Sequence, residues 1–253
     1  SKSPAIHNAC FKLHHINAVY LACEINDISQ ALAAMRTLNI KGASITIPFK
    51  ECIMAYLDWI DEDALSIGAV NTIINKDEKL LGYNTDHMAA ISPLKPFDIK
   101  DKRVCIIGAG GAAQAVAYGI NKEKGQLVII NRNKDRGKKL ALKYHADFIS
   151  MDEIDTMAAI KADIIINTTS LGMSPDIESL AFPLHLLTSQ MVVMDVVYNP
   201  LKTKLLSHAQ QKGCTTIDGL AMFLHQGASQ FKIWTGISPD IELMRKTLIN
   251  GDR

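Results

Sequence analysis

Cysteine is scarce and badly placed for crosslinking. The five cysteines, Cys10, Cys23, Cys52, Cys105 and Cys214, are odd in number, scattered, and never form a C-x-x-C pair. That excludes a disulfide framework and the usual zinc spacing, and it fits a reducing cytoplasm. Charge of one sign is lacking too. With 27 Lys and Arg against 26 Asp and Glu, the formal net charge is +1, and no run of five like charges occurs. A nucleic acid or an anionic membrane surface finds no footprint here. No apolar run approaches the roughly 18 residues that a membrane span needs, and no signal peptide is visible. The paired His14-His15 has no third ligand at useful spacing, so no metal is expected. The two tryptophans, Trp59 and Trp234, stand in apolar stretches read as helical, where packing is their expected work.

What remains is a globular balance. Hydrophobic residues make up 48% of 253 positions and charged residues 21%, enough for one large α/β domain or two smaller ones. The early chain alternates helix-like and strand-like stretches. A helix opens at Ser3-Pro4, a strand is expected over Ala18–Glu24, a helix over Asp27–Leu38 and a strand over Gly42–Ile47. A short helix over Glu51–Trp59 follows, then two strands around a polar turn at Asn75–Lys79. The proline-containing stretch from Ser92 reads as a linker. Beyond it comes a second β-α-β series, with strands at Arg103–Ile107, Gln126–Ile130, Asp163–Asn167, Met191–Val196 and Thr215–Ile217. Strands alternating with helices at this spacing predict a parallel sheet covered on both faces. Two αβ units separated near residues 87–100 predict two domains with a cleft between them.

One segment carries a chemical signal. Val104-Cys-Ile-Ile runs into Gly108-Ala109-Gly110-Gly111-Ala112-Ala113, an apolar strand entering G-x-G-x-x-A and then a helix. Glycine at 108 permits a tight turn, glycine at 110 lets backbone approach a pyrophosphate, and Ala113 allows close helix–strand packing. The free N–H groups of the helix N-terminus would hold the phosphates. The next strand end distinguishes NAD from NADP. An NAD site usually places a carboxylate there; this chain has Asn131-Arg132-Asn133-Lys134-Asp135-Arg136. Arg132 and Arg136 suit a 2′-phosphate, which points to NADP, while Asp135 argues the other way.

Several motifs, taken in order, resemble those of the shikimate dehydrogenase family. They are Ser1-Lys-Ser3-Pro, Thr46-Ile-Pro-Phe-Lys50-Glu, Gly68-Ala-Val-Asn71-Thr and Gly82-Tyr-Asn-Thr85-Asp86. The glycine loop, Asn131-Arg132, Asn167-Thr-Thr-Ser, Asp195-Val-Val-Tyr198-Asn-Pro and Gln226-Gly-Ala complete the set. The resemblance implies an α/β protein in which a Rossmann-type NADP domain, residues 87–219, is inserted into a substrate domain with a mostly parallel sheet, residues 1–86 plus 220–253. It implies NADPH-dependent reduction of 3-dehydroshikimate, a small-molecule partner, and a monomer or homodimer. Lys50 and Asp86 match the catalytic pair. Ser1 and Ser3 match carboxylate-binding positions, and Thr46, Asn71, Thr85, Tyr198 and Gln226 other substrate contacts. Gly108, Ala109, Gly110, Gly111, Ala112, Asn131, Arg132, Asn133, Arg136, Thr168 and Gly219 match the cofactor set.

The chemistry of these residue types fits, since a lysine ammonium stabilises and protonates a developing alkoxide. Each also has a plainer use. Lys50 and Asp86 could be a surface pair, Ser3 a helix cap, Asn71 a turn residue, and Tyr198 and Gln226 satisfied core polar groups. Three departures stand out. Ser44 replaces the family's usual Asn, which leaves quinate or a related ring acid as an alternative substrate. His87 replaces the usual Gly after Asn-Thr-Asp and reads as a linker residue. The family's opening strand and Gly-x-Pro turn are missing before Ser1, so residues upstream are expected to complete the sheet. A cofactor-binding sensor without turnover is the alternative of another class, and intact Lys50 and Asp86 speak against it.

Overall fold

The computed structural model describes residues 1–156 and 161–250. The chain divides into two units, Ser1–Thr85 with Leu224–Arg253, and Asp86–Phe223. In chain order the first contains α1 (Ser3–Leu13), α2 (Ile28–Thr37), β1 (Gly42–Ser44), β2 (Trp59–Ile60), α3 (Glu62–Ile67), β3 (Thr72–Lys76) and β4 (Lys79–Tyr83). The second contains α4 (Asp86–Ile91), β5 (Arg103–Ile107), α5 (Gly111–Lys122), β6 (Gln126–Asn131), α6 (Lys134–Lys143) and β7 (Asp147–Ser150). It continues through β8 (Ile164–Asn167), β9 (Val192–Asp195), α7 (Lys204–Gln211) and β10 (Thr215–Ile217). The helix α8 (Gly219–Thr235) contains the division between units, and α9 (Ile241–Asn250) ends the described chain.

The six strands of the second unit lie in the order β10-β9-β8-β5-β6-β7, and every pairing is parallel. Burial on both faces explains why these strands read as unbroken apolar runs. Val104 and Ile106 of β5 pack in one layer with Val116 and Ile120 of α5, while Cys105 and Ile107 pack in the other with Phe182 and Leu187. The strand order reverses between β5 and β8. That reversal is the place where parallel α/β sheets open a crevice beyond their strand ends.

In the first unit Ile28, Leu32 and Met35 recur at i, i+4 and i+7 along α2 and are buried with Val70, Ile73 and Leu80. Asp27 starts that helix by accepting from the N–H groups of Ser29 and Gln30. The sheet order is β1-β3-β4-β2, with antiparallel pairing of β1 to β3 and β3 to β4, and parallel pairing of β2 to β4. This sheet is mixed, because β3 and β4 form a hairpin. Asp77 and Glu78 turn it with φ of 51° and 64°, the left-handed pair that a two-residue hairpin loop needs. The parallel character belongs to the larger sheet.

Three segments differ from their sequence reading. Ala18–Glu24 is not a strand. Instead the Asn8 carboxamide, on α1, bonds Tyr20 at both backbone groups, 2.7 Å to its N–H and 3.0 Å to its C=O. One side chain thereby does what a neighbouring strand would do. Residues Cys52–Tyr56 form a tighter 3₁₀ turn, and Trp59 enters β2 rather than a helix. The stretch Ser92–Phe97 is also 3₁₀ rather than an irregular linker. His87 is buried and sets its ring edge-on to Tyr118 at 5.4 Å, a packing role.

His7 of α1 is fully buried and stacks on Tyr20 at 4.6 Å, with Trp234 at 5.1 Å and Phe231 at 6.3 Å. Among the described residues neither ring nitrogen has a hydrogen-bond partner. Burial pulls the imidazole pKa from 6.5 down to about 4. The unfolded chain therefore takes up this proton first as pH falls. Stability from neutral His7 is complete above pH 6.5 and is lost as pH drops towards 4, by roughly 3 kcal/mol in total. Denaturant unfolding across that window should show this loss in the native chain and a shallower slope in His7→Phe. Identical pH slopes for both proteins would remove His7 as the cause.

Candidate active site

The polar residues of the first unit converge on one amide. Asn71, buried just before β3, donates to Thr85 Oγ1 at 3.0 Å, and its Oδ1 accepts from the Thr85 N–H at 2.9 Å and from Thr72 Oγ1 at 2.7 Å. Thr85 Oγ1 also reaches the carbonyl of Gln226 at 3.3 Å. Gln230, one turn further along α8, donates to the Asn71 carbonyl at 3.1 Å and to Thr72 Oγ1 at 3.0 Å. It accepts from Ser44 Oγ at 2.9 Å. Tyr20 lies stacked on His7 at 4.6 Å, and burial is the main influence on its phenol, pushing the pKa up. Ser44, Asn71, Thr72, Thr85, Gln230 and the Gln226 backbone thus form one hydrogen-bonded system.

Ser3 is the first residue of α1 rather than its cap. The cap position is Lys2, which makes no side-chain cap bond, and the Ser3 N–H donates to exposed Ser1 Oγ at 3.2 Å. Thr46 is exposed and makes the turn after β1, its carbonyl accepting from the Phe49 N–H at 2.9 Å. The turn delivers Lys50, whose carbonyl is held by the Val70 N–H at 2.8 Å. Asp86 is buried and opens α4, so it belongs to the second unit while Lys50 belongs to the first. Tyr198 also belongs to the second unit, packed on Phe223 at 4.5 Å, where burial raises its phenol pKa. Tyr20 and Gln230 were not singled out from sequence. Gln230 carried a usable signal, since it follows Gln226 by four residues and so shares its helix face.

In the second unit the glycine loop leaves β5 at the sheet's reversal. Gly108 has φ of +117°, and a Cβ there would stand 2.6 Å from Thr168 Oγ1. That hydroxyl, at the end of β8, donates to the Ile107 carbonyl at 2.6 Å. Gly110 differs. Its φ of −92° suits any residue, and a Cβ there would meet nothing within 4 Å. Neither strain nor packing requires glycine at 110; what glycine leaves is open space at the start of α5, as a pyrophosphate would need. Gly111 and Ala112 begin that helix, and Ala109 is buried behind the loop. After β6, Asn131 Nδ2 donates to the Asn133 carbonyl at 2.7 Å, and Asn133 caps α6 by accepting from the Arg136 N–H at 3.0 Å. Arg132 and Arg136 are exposed beside this cap, and no carboxylate ends β6. The donor set fits a dinucleotide carrying a 2′-phosphate. Gly219 starts α8 where a Cβ would strike the carbonyls of Val196 and Val197 at 2.5 Å.

Comparison with known proteins follows the same division. Family models match in three stretches. Residues 1–73 match the shikimate dehydrogenase substrate binding domain, 91–178 shikimate / quinate 5-dehydrogenase, and 219–249 the shikimate 5'-dehydrogenase C-terminal domain. A shikimate dehydrogenase (NADP(+)) of Pyrococcus abyssi is 44% identical over 247 residues, covering 97% of this chain and 92% of the relative. The chain belongs to the shikimate dehydrogenase family. Members of this family are oxidoreductases that act on a CH–OH group. Solved structures agree in fold. A shikimate dehydrogenase crystallised with NADP+ is 41% identical with a TM-score of 0.91, covering 99% of this chain and 91% of that one. The Thermus thermophilus enzyme, in complex with NADP(H) and shikimate, is 30% identical with a TM-score of 0.87, covering 99% and 94%. No group of three or more His, Cys, Asp or Glu among the described residues is arranged to hold a metal.

The two loop glycines separate folding from binding. Gly108→Ala forces a strained φ and displaces Thr168, so it should lower stability by about 1–3 kcal/mol and weaken dinucleotide binding. Gly110→Ala should leave the melting temperature unchanged and still weaken binding. Thermal unfolding beside fluorescence titration with NADPH checks both. A Gly110→Ala protein that binds NADPH like the native chain would end the pyrophosphate reading of that space.

Proposed function

We propose that this chain reduces 3-dehydroshikimate to shikimate with NADPH, using Lys50 and Asp86 as an acid–base pair. The observation that carries the reading is the hydrogen-bonded system of Ser44, Gln230, Asn71, Thr85 and the Gln226 carbonyl. It gathers hydroxyl and amide groups, suited to a polyhydroxylated ring acid, on the unit whose β1 turn delivers Lys50. Ser1 and Ser3 take the carboxylate, while Thr46, Asn71, Thr85, Tyr198 and Gln226 contact the ring. Gly108 to Ala112, Asn131 to Asn133, Arg136, Thr168 and Gly219 hold the cofactor. The setting is cytoplasmic and the partner a small molecule. Among the described residues no helix is long and apolar enough to cross a membrane.

Bound NADPH supplies the hydride to the ketone carbon. The chain's own residues handle charge and proton. As the carbonyl electron pair moves onto oxygen, the Lys50 ammonium faces a growing negative charge and stabilises it. It then transfers a proton to that oxygen and regains one from solvent. Asp86 is the carboxylate proposed to act with Lys50 as the second member of the pair. Lys50→Ala should therefore lower kcat roughly 10²–10⁴-fold, the usual worth of general acid–base catalysis, with a smaller change in substrate affinity. Asp86→Asn should also lose turnover, and the double variant should lose less than the product of the singles. Steady-state kinetics on all three, with NADPH titration to confirm cofactor binding, make the test. Near-native turnover in Lys50→Ala would move the proton donor elsewhere.

Cofactor choice follows from Arg132 and Arg136. Replacing Arg132 by Ala should raise KM for NADP far more than KM for NAD, because only NADP carries the phosphate that a guanidinium clamps. Equal changes with both cofactors would sink the clamp. One observation favours a second substrate, quinate. Ser44 commits its proton to Gln230 at 2.9 Å and has a shorter arm than asparagine, which leaves more room beside the ring. Rates with shikimate and quinate, each with NADP, compare the two.

A further inference from the structure

Asp195 has no part in the chemistry above, yet it is the most demanding group in the second unit. Its carboxyl is fully buried at the last residue of β9, directly opposite Asn167, the last residue of β8. Asn167 is fully buried too. Asp195 Oδ1 accepts from Asn167 Nδ2 at 2.9 Å and from the Val197 N–H at 3.0 Å, and Oδ2 accepts from Thr203 Oγ1 at 2.7 Å. Burial raises its pKa while these three bonds work in the opposite direction. A buried carboxyl is expensive, and it persists where its surroundings consist of donors.

All three partners do donate, and each belongs to a different piece of chain. Val197 lies in the loop after β9. Thr203 caps α7, accepting from the Leu206 N–H at 3.3 Å. Asn167 shapes the loop after β8, accepting from Thr169 N–H at 3.0 Å and Thr169 Oγ1 at 2.7 Å, and donating to the Leu171 carbonyl at 3.3 Å. In that same loop Thr168 reaches back to the end of β5, beside the glycine turn. One carboxylate therefore fastens the loops at the carboxyl ends of β8 and β9 to each other and to the start of α7. An asparagine at 195 could not replace it fully. Its amide would point donors at Thr203 Oγ1, whose own proton would then lose its acceptor.

The strand order says what these loops face. A dinucleotide fold consists of two mononucleotide halves that meet where the strand order reverses. Arg132 and Arg136 follow β6, so β5, β6 and β7 serve the adenosine half, and β8, β9 and β10 are left for the nicotinamide half. We propose that Asp195 is a positioning residue for the nicotinamide half of the cofactor, holding the β8 and β9 loops in the shape that receives it. This rests on the cofactor reading given above.

Two ligands separate the halves in the full chain. NADPH spans both, whereas adenosine 2′,5′-bisphosphate carries only the adenosine side. Asp195→Asn should raise the NADPH dissociation constant about tenfold, the scale of one hydrogen bond to a charged group, and leave that of the bisphosphate unchanged. Thr203→Val should do the same, and Thr203→Ser, which keeps the hydroxyl, should restore native NADPH binding. If Asp195→Asn fails to fold by circular dichroism, the two Thr203 variants carry the test alone. Equal weakening of both ligands in the folded variants would mean general loosening and would overturn the proposal. So would unchanged NADPH binding. If the native protein binds NADPH but not the bisphosphate, the division into halves is wrong and the proposal falls while the activity stands. If it binds neither, the cofactor reading fails with it.

Discussion

Residue 108 carries no side chain, and the carboxyl edge of the larger sheet depends on that. The Gly108 N–H is bonded to the Ile130 carbonyl at 2.8 Å while its φ is +117°, a region that other residues enter only under strain. The chain can then turn sharply from β5 into α5. The same missing Cβ gives Thr168 the room to bond the Ile107 carbonyl. Three strand ends are thereby tied at one point: β6 through Ile130, β8 through Thr168, and β5 itself. α5 starts directly behind this knot, where a Cβ on its cap residue Gly110 would meet nothing within 4 Å and no side chain caps the helix. That arrangement answers to the needs of an anion more than to those of the fold.

The smaller unit solves a different problem. Its sheet is short and mixed, and its strand ends are polar, so hydrogen-bond matching is added to the apolar burial of α2 against β3 and β4. Asn71 shows how. Its one carboxamide serves Thr72 and Thr85, while its carbonyl is taken by Gln230 and the Ile45 N–H. A buried amide with every group engaged has one orientation, and its neighbours inherit that orientation. Lys50, whose backbone is held by Val70 next to Asn71, is anchored to the same frame.

Much of the fold was legible because the larger sheet is buried on both faces. Runs such as Val104-Cys-Ile-Ile and Ile164-Ile-Ile have few alternatives to a central parallel strand. The glycine turn was legible for the same reason, as a break between an unmistakable strand and helix. The edges were harder. β7 reads Asp-Phe-Ile-Ser, too short and too polar to stand out, and α7 begins at a threonine cap inside a loop-like stretch. Ala18–Glu24 has strand-like residues but takes its backbone partner from the side chain of Asn8, which no periodicity reports. Among polar residues, family motifs brought out those that resemble ligand contacts. Gln230 holds Asn71 and Thr72 from behind, and its spacing of four residues from Gln226 was the one signal the sequence carried for it.

Ser44 illustrates why that background matters for specificity. Read alone, it is a short hydroxyl side chain at the last position of β1. In the structure its proton is given to Gln230 Oε1, and both amide protons of Gln230 are already committed, to Asn71 and Thr72. Gln230 is buried and fully used, so it cannot turn to meet a longer neighbour without abandoning a bond to the Asn71 frame. An asparagine at 44 would have to present its amide to the same Gln230 oxygen that Ser44 now bonds. Positions 44 and 230 therefore act as a matched pair, and a change at 44 has to be met through the bonds that Gln230 makes to Asn71 and Thr72.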